Sequence, residues 1–250
     1  MTLYRFEIAR GGSNGAEKKT EIFEVALEPR MTVLDGLFRI QREQDGSLQF
    51  RCSCRVGMCG TCGMFINRIP RLACKTRAES LRSNRIAVAP LPHFPVIKDL
   101  MVSMEPFFEQ WKKVHPAFHP ARPDSTELAR IRPDSDPSRQ SSDKRDCITC
   151  GLCVTACGVT ASSSRYLGPA AINKAFLRLM DPRDGAVQER LNILNDEYAG
   201  VWRCHTQFNC VAACPKGINL TDSIGRLKRA LLAPGRFVRN KARAVRSTDG

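Results

Sequence analysis

Twelve cysteines, and the way they are grouped, constrain this 250-residue chain more than any other feature of its sequence. They fall into three tight groups, at residues 52–74, 147–157 and 204–214. A disulfide framework is typical of short secreted chains that carry a signal peptide. Residues Met1–Arg10 show neither an apolar h-region nor a small-residue cleavage site. We therefore expect reduced cysteines, and grouped thiolates indicate metal binding.

The charge balance points to an acidic partner. The net charge is +14, with a pI near 9.5. Nucleic acid, anionic lipid and an acidic protein surface would all suit such a chain. Prolines and charges interrupt the most apolar stretch, Ile86–Val102. No segment reaches the roughly 18 apolar residues that a membrane helix needs, so we expect no span in this chain.

The first part of the chain, residues 1–105, has the pattern of a small α+β domain. Alternating apolar residues predict strands at Leu3–Ala9 and Ile22–Leu27, joined by a turn at Gly11–Gly15. Thr32 is expected to cap a helix that runs to about Gln44. Its predicted apolar face is Val33, Leu34, Leu37, Phe38 and Ile40. Further short strands are predicted at Met64–Asn67 and Ile86–Ala89, and the whole pattern suits a β-grasp domain.

The second part has a different pattern. Residues 106–146 are predicted to be a linker, because residues 116–146 hold five prolines, many charges and little periodicity. Ser125–Arg130 could form a helical turn within it. Residues 147–250 are predicted to be a mainly α-helical domain of the bacterial-ferredoxin type. Its expected helices are Pro169–Leu179, Ala186–Asn192 and Thr221–Leu232.

The first cysteine group has the spacing C-x4-C-x2-C-x11-C, formed by Cys54, Cys59, Cys62 and Cys74. Plant-type 2Fe–2S ferredoxins use C-x4-C-x2-C with a more distant fourth cysteine. Glycines within the loop (Gly57, Gly60 and Gly63) allow the backbone to wrap closely, and nearby arginines (Arg51, Arg55 and Arg71) add positive charge. A structural zinc site is the alternative, although zinc favours two C-x2-C pairs and only one is present. Cys52 is left over as a small buried or half-buried thiol, with a substitute ligand as the other possibility.

The second group, Cys147, Cys150, Cys153 and Cys157, has the bacterial ferredoxin spacing C-x2-C-x2-C-x3-C. In two-cluster ferredoxins the fourth cysteine of such a run binds the other cluster, so a matching run is required. The third group supplies it. Crossing the two runs predicts a 4Fe–4S cluster on Cys147, Cys150, Cys153 and Cys214, and a second cluster on Cys157, Cys204 and Cys210. A pair of zinc knuckles is the alternative, but this continuous spacing suits a cubane.

The third group lacks one cysteine. A complete run would place cysteine at 204, 207 and 210, but residue 207 is Gln207. An amide is a poor iron ligand beside thiolates, so the site on Cys157, Cys204 and Cys210 is predicted to hold a 3Fe–4S cluster. Eleven of the twelve cysteines are then assigned as metal ligands, and Cys52 is the twelfth.

With these motifs, the chain resembles the iron–sulfur subunit of succinate dehydrogenase and fumarate reductase, the succinate:quinone oxidoreductase family. The resemblance covers residues 31–235 apart from the linker. The segments that carry it are SCRVGMCGTCGMFIN, PRLAC, PLPHFPVIKDL, CITCGLCVTAC, YLGPAA and RCHTQFNCVAACPKGIN.

This resemblance implies a respiratory function linked to the tricarboxylic acid cycle. An FAD-containing flavoprotein partner would oxidise succinate to fumarate, and electrons would pass through 2Fe–2S, 4Fe–4S and 3Fe–4S clusters to quinone beside membrane anchor subunits. It implies no catalytic acid or base in this chain. The implied location is peripheral, on the cytoplasmic face of a bacterial or archaeal membrane, with no signal peptide or transmembrane helix.

The sequence departs from the family at the quinone end. Related chains have a proline and then a pair of tryptophans after the fourth cysteine of the run, whereas here Cys157 is followed by GVTASSS. Gln207 stands where the family usually has an aliphatic residue. The resemblance implies a quinone contact for His205, with a structural histidine as the alternative, and Trp202 is a further candidate.

The C-terminal residues 226–250 are strongly basic, with eight Lys or Arg and one acid, Asp249. Contact with anionic lipid or an acidic anchor subunit is one interpretation, and a solvated helix end and tail is the other. For the whole chain, the alternatives are a fumarate reductase subunit working in the reverse direction, a free-standing multi-cluster ferredoxin, and a zinc-stabilised nucleic-acid-binding protein. The last has little support, because no basic run is interleaved with aromatics.

Overall fold

The computed structural model describes residues 1–12, 19–123 and 131–235, which divide into two units. The first unit comprises Met1–Pro106 and Ile148–Ala156, and the second comprises Phe107–Cys147 and the chain from Cys157 onward. The predicted turn at Gly11–Gly15 lies partly outside the described residues, and the predicted helical turn at Ser125–Arg130 lies wholly outside them.

The first unit is built on a mixed sheet. Its strands, with a separate pair at the end, are β1 Thr2–Arg10, β2 Lys19–Leu27, β3 Gly63–Ile66, β4 Ile69–Leu72, β5 Arg85–Ala89, β6 Val96–Lys98 and β7 Met101–Val102. The five-stranded sheet has the order β2-β1-β5-β3-β4. β1 runs antiparallel to β2 and parallel to β5, and β5 runs antiparallel to β3. All four predicted strands are confirmed, and the alternation of β1 places Phe6 and Ile8 in the core.

Helix α1, Val33–Glu43, begins where the sequence predicts. The Thr32 hydroxyl accepts a hydrogen bond from the Asp35 N–H at 3.2 Å, and the Asp35 carboxylate accepts one from the Thr32 N–H at 2.8 Å. This capping box satisfies two N–H groups that the helix itself leaves unpaired. The predicted apolar face is buried except for Phe38, which is half-buried. A Cβ on Gly36 would lie 2.3 Å from Cζ of Phe6, so only glycine lets this helix pack against β1 so closely.

The second unit is mainly helical, and the last predicted helices are found close to their predicted limits. In chain order the helices of the protein after α1 are α2 Glu105–Lys113, α3 Asp136–Ser141, α4 Leu152–Thr155, α5 Gly158–Ser162, α6 Gly168–Met180, α7 Val187–Leu194, α8 Asn209–Ala212 and α9 Leu220–Leu232. α4 belongs to the first unit, and the boundary at Pro106 falls within α2. The core of the second unit is formed by α6, α7 and α9 together with Val114 and Val201. These observations confirm the α+β fold class, with a sheet-based first domain and a mainly helical second one.

The predicted linker, residues 106–146, contains more structure than its composition indicates. It includes most of α2 and all of α3, and Val114 is fully buried. The guanidinium of Arg190, itself fully buried, pairs with Asp184 and donates hydrogen bonds to the carbonyls of His115 and Ala117. Because the Asp184 carboxylate fixes this guanidinium, its hydrogen bonds to the two carbonyls tie the segment to α7 of the second unit. A buried arginine that bonds to residues more than 70 positions away leaves no local periodicity, so the sequence pattern does not indicate this contact.

No helix among the described residues is both long enough and apolar enough to cross a membrane.

Candidate metal centres

The loop that carries the first cysteines wraps its backbone around one sulfur. The N–H groups of Val56, Met58 and Cys59 lie 3.5, 3.2 and 3.3 Å from Sγ of Cys54. Backbone donors aimed at a sulfur stabilise its negative charge, as an iron-bound thiolate requires. The guanidinium of Arg55 lies 4.7 Å from the ring centroid of Phe38, which attaches this loop to α1.

The other two cysteines of the group flank the β3-β4 hairpin in sequence and meet at its open end. Cys62 immediately precedes β3, and Cys74 lies in a short 3₁₀ turn, Ala73–Lys75, that follows β4. The Ala73 N–H donates to the Cys62 carbonyl at 3.0 Å, and the two buried thiols are within hydrogen-bonding reach of each other. The structure therefore brings the four cysteines together as two pairs, Cys54 with Cys59 and Cys62 with Cys74.

The two pairs differ in their electrostatic surroundings. The Thr61 hydroxyl, 3.2 Å from Sγ of Cys59, and nearby backbone N–H groups lower the pKa of Cys59 to about 6. Burial, followed by the adjacent Cys74, raises the pKa of Cys62 to about 12. A bound cation is what would ionise the buried pair at neutral pH. The donor set thus fits a cluster whose irons each take one of these pairs.

Two glycines in the loop have positive φ, Gly57 at +76° and Gly60 at +75°. A Cβ on Gly57 would lie 2.8 Å from Cγ of Lys75, and one on Gly60 would lie 2.8 Å from Cβ of Cys150. The sequence predicted a need for glycine at both positions. It did not predict that Gly60 would pack against the second cysteine group.

That contact explains why Ile148–Ala156 belongs to the first unit. Cys150 packs on Gly60, and Leu152 lies within 3.2 Å of a Cβ built on Gly63. Gly151, with φ +75°, begins α4 against Phe94, and α4 carries the buried Cys153. Two of the four predicted 4Fe–4S ligands, Cys150 and Cys153, are therefore in the first unit, and the other two, Cys147 and Cys214, are in the second.

A buried polar network fixes the chain just before Cys147. The ammonium of Lys144 is 2.7 Å from the Asp143 carboxylate and 3.5 Å from that of Asp222 on α9. The Lys144 carbonyl accepts a hydrogen bond from the Asn173 amide on α6 at 3.1 Å. The approach to the first cysteine of this run is thus held by two helices of the second unit.

The third predicted ligand set, Cys157, Cys204 and Cys210, is brought together around one buried tyrosine. Tyr166 is 2% exposed, and Cys157 and Cys204 pack against the core cluster to which it belongs. Burial raises the pKa of Tyr166 above its usual range, and the charges of all three cysteines raise it further. All three cysteines therefore lie near the side chain of Tyr166.

Among the described residues, which include all twelve cysteines, no three Cys, His, Asp or Glu side chains lie close enough to hold one ion. No cysteine forms a disulfide, and Cys52 is half-buried.

The residues considered for the quinone end lie at the surface of the second unit. His205, Gln207 and Phe208 are exposed, and Trp202 donates from Nε1 to Asn195 Oδ1 at 2.9 Å. Oε1 of Gln207 lies 3.4 Å from the position a Cβ on Gly158 would take, so its amide folds beside the residue that follows Cys157.

Several residues near the cysteines were not predicted. Thr61, Tyr166, Thr221 and Lys228 all contact cysteines or lie against them. Thr61 lies inside the first motif and could have been suspected from its position. Lys228 is 24 residues from its partner Cys204, and nothing in the sequence indicates that contact.

A sheet-based unit that gathers four thiols and a helical unit that gathers further thiols define a multi-cluster ferredoxin-type electron-transfer protein. Comparisons with known proteins agree. Residues 4–109 match the family described as a 2Fe-2S iron-sulfur cluster binding domain, and residues 143–218 match a 4Fe-4S dicluster domain.

Similarity to individual proteins identifies the family more narrowly than the two domain matches do. The chain is 42% identical over 203 residues to succinate dehydrogenase [ubiquinone] iron-sulfur subunit 1, mitochondrial, of Oryza sativa subsp. japonica, covering 80% of this chain and 71% of the relative. A chain in the structure of the Mycobacterium smegmatis Sdh1 complex in the apo form is similar with TM-score 0.82 and 28% identity, covering 92% of this chain and 95% of that one. A hypothetical protein from Helicobacter pylori shares the fold with TM-score 0.57 at 15% identity, over 93% of this chain and 40% of that one.

The chain belongs to the family of succinate dehydrogenase iron–sulfur subunits. It is an electron-transfer subunit of that oxidoreductase complex, as the sequence predicted.

Proposed function

We propose that eleven cysteines of this subunit hold three clusters in three separate ligand sets. The sets are Cys54, Cys59, Cys62 and Cys74 for 2Fe–2S, Cys147, Cys150, Cys153 and Cys214 for 4Fe–4S, and Cys157, Cys204 and Cys210 for 3Fe–4S. When bound, these clusters supply one-electron redox chemistry between the flavin of a succinate-oxidising partner and membrane quinone. This chain's own residues hold, shield and orient them, and no acid–base residue is assigned to it.

The convergence of thiols carries this proposal. The pairing of Cys54 with Cys59 and of Cys62 with Cys74 supports the first set, because two irons each need two thiolates. The position of Cys157, Cys204 and Cys210 around Tyr166 supports the third set. The middle set is supported by the spacing of the second run and by the rule that its fourth cysteine binds the other cluster.

The amide of Gln207 supports a three-iron cluster in the third set. Its side chain folds beside Gly158, next to the ligand Cys157, and it offers oxygen or nitrogen where a fourth iron needs sulfur. Soft thiolate ligands are strongly preferred by iron–sulfur clusters, so the fourth iron has no suitable anchor.

Replacing Cys157 with serine tests the third set. In the intact complex, we expect Cys157→Ser to remove the oxidised three-iron EPR signal and to spare the reduced 2Fe–2S signal, because only one ligand set loses a thiolate. Cys52→Ser is the matched control, since Cys52 is half-buried and lies in no proposed set. The assignment would be refuted by a three-iron signal of wild-type intensity in Cys157→Ser, or by loss of any cluster in Cys52→Ser.

We place the quinone end at the surface that carries His205 and Trp202. His205 follows the ligand Cys204 directly and is exposed, so its ring can reach a molecule bound outside the third set. The Trp202 ring, 38% exposed and held by Asn195, supplies an aromatic face where the family's pair of tryptophans is missing. In this arrangement the subunit is peripheral, on the cytoplasmic side of a membrane, beside anchor subunits.

The basic C-terminal segment is proposed to strengthen membrane attachment. Residues 226–250 carry eight Lys or Arg and one acid, and those from 236 onward lie outside the described residues. A cluster of basic residues near an anionic surface gains about 1 kcal/mol for each Lys or Arg.

Deleting residues 236–250 is expected to weaken the binding of the complex to membranes that contain anionic lipid, compared with the wild type. Five basic residues are lost (Arg236, Arg239, Lys241, Arg243 and Arg246), so retention should fall several-fold at low salt and differ little from wild type at high salt, where both are screened. Co-sedimentation with vesicles of mixed neutral and anionic lipid measures this. A variant with these five residues changed to glutamine controls for chain length, and wild-type retention of both variants at low salt would refute the proposal.

A further inference from the structure

The third ligand set is surrounded by hydrogen-bond donors that the ligand assignment does not use. The first is Lys228 on α9, whose ammonium donates to the backbone carbonyl of Cys204 at 2.8 Å. Lys228 is half-buried, so its charge is less screened than that of a fully exposed lysine. The contact holds a positive charge at the backbone of the residue whose thiolate is proposed as a cluster ligand.

Two further donors approach the sulfurs directly. The Thr206 N–H lies 3.4 Å from Sγ of Cys204, and Oγ1 of Thr221 lies 3.7 Å from Sγ of Cys210. Thr221 is only 7% exposed, so its hydroxyl has little competing water. A hydroxyl in this position donates a hydrogen bond to the thiolate, and this hydrogen bond becomes stronger as the negative charge on the sulfur grows.

The fourth donor is the hydroxyl of Tyr166. It is buried in the core against Cys157 and Cys204, and it is within hydrogen-bonding reach of the Cys204 sulfur. A tyrosine hydroxyl is a hydrogen-bond donor, and a cluster thiolate that accepts from it gains a charge-assisted hydrogen bond. The Cys204 residue thus receives donors at its sulfur from two directions and at its carbonyl from a third.

We propose that Tyr166, Thr221 and Lys228 form a donor shell that raises the reduction potential of the cluster on Cys157, Cys204 and Cys210. Reduction adds one negative charge to a cluster, so donors and cations around it stabilise the reduced state more than the oxidised state. The shell therefore makes this centre a better electron acceptor than its ligand count alone would. This inference rests on the ligand set proposed above.

Redox-poised EPR of the purified complex tests the shell. Tyr166→Phe, Thr221→Val and Lys228→Met each remove one donor and keep similar size. With the sample poised at the wild-type midpoint potential, the ratio of oxidised to reduced three-iron cluster is expected to rise about fivefold for each variant, as for the loss of one hydrogen bond of ordinary strength. The three variants combined should give a larger rise than any one.

Two control variants distinguish the effect of the Lys228 charge and its position from a nonspecific structural effect of substitutions on α9. Lys228→Arg keeps the charge on α9 and should stay close to the wild-type ratio. Arg229→Met removes a charge from the next, exposed position of the same helix and should leave the ratio unchanged. An oxidised three-iron signal of normal intensity with wild-type ratios in all three donor variants would overturn the shell and leave the ligand set intact. A wild-type complex with no such signal would overturn the ligand set itself, and the shell with it.

Discussion

Replacing Gln207 with cysteine is expected to abolish the oxidised three-iron EPR signal and to add a second four-iron signal in the reduced sample. The variant completes the run of cysteines at 204, 207 and 210, so a fourth iron gains the thiolate that it lacks in the wild type. The Gln207 side chain lies beside Gly158, next to the ligand Cys157, so a shorter side chain at residue 207 has room to turn toward the same centre. An additional thiolate adds negative charge and lowers the potential, so quinone reduction should slow by an order of magnitude or more.

Gln207→Ser is the matched control, because serine has the size of cysteine but offers a hard oxygen ligand. It should retain the three-iron signal. Iron analysis gives an independent count, with one more iron per chain in Gln207→Cys than in either the wild type or Gln207→Ser. A three-iron signal of full intensity and an unchanged iron content in Gln207→Cys would contradict the proposed position of residue 207.

Replacing Gly60 with alanine is expected to damage the first cluster and the fold around it. Gly60 has φ +75°, where a non-glycine residue costs about 1–2 kcal/mol, and a Cβ there would lie 2.8 Å from Cβ of Cys150 and 3.0 Å from the Ile148 carbonyl oxygen. Neither neighbour is the end of a flexible side chain. The loop must therefore move away from residues 148–150, and the thermal midpoint should fall by about 8 °C or more.

The loss should be visible in both cluster content and stability. The absorbance of the 2Fe–2S cluster and the intensity of its reduced EPR signal should fall with the fraction of chains that lose the cluster. Calorimetry should record the lower thermal midpoint. Gly46→Ala is the matched control, since its Cβ would meet nothing closer than the Gln41 carbonyl oxygen at 3.8 Å. If Gly60→Ala and Gly46→Ala had equal midpoints and equal 2Fe–2S content, the close contact between Gly60 and Cys150 would not be present in solution.

The elements that the sequence predicted well are those with local signals. β1, β2 and α1 follow from alternation and from a capping box four residues long, and each lies where the pattern indicates. The cysteine runs are equally local, because a cluster motif is defined by spacing along the chain. The grouping of Cys157 with Cys204 and Cys210 in one ligand set comes from the motif rule alone and stays a prediction, and all three cysteines lie near Tyr166 in the second unit.

The features that escaped prediction depend on contacts between distant residues. The order inside residues 106–146 comes from Arg190, which bonds to carbonyls more than 70 residues away. The assignment of Ile148–Ala156 to the first unit depends on the absence of a side chain at Gly60. Lys228 is one of three basic residues at the end of α9, and only the folded helix shows that it alone of these donates to Cys204.

Low-temperature EPR on the intact complex, prepared without oxygen and combined with iron and acid-labile sulfide analysis, tests the central claim most directly. Eleven thiolates in three sets predict about nine irons and about ten acid-labile sulfides per chain, since each cluster has a defined composition. They also predict a three-iron signal in the oxidised sample, and 2Fe–2S and 4Fe–4S signals after reduction. Stoichiometric zinc with no acid-labile sulfide would contradict the account.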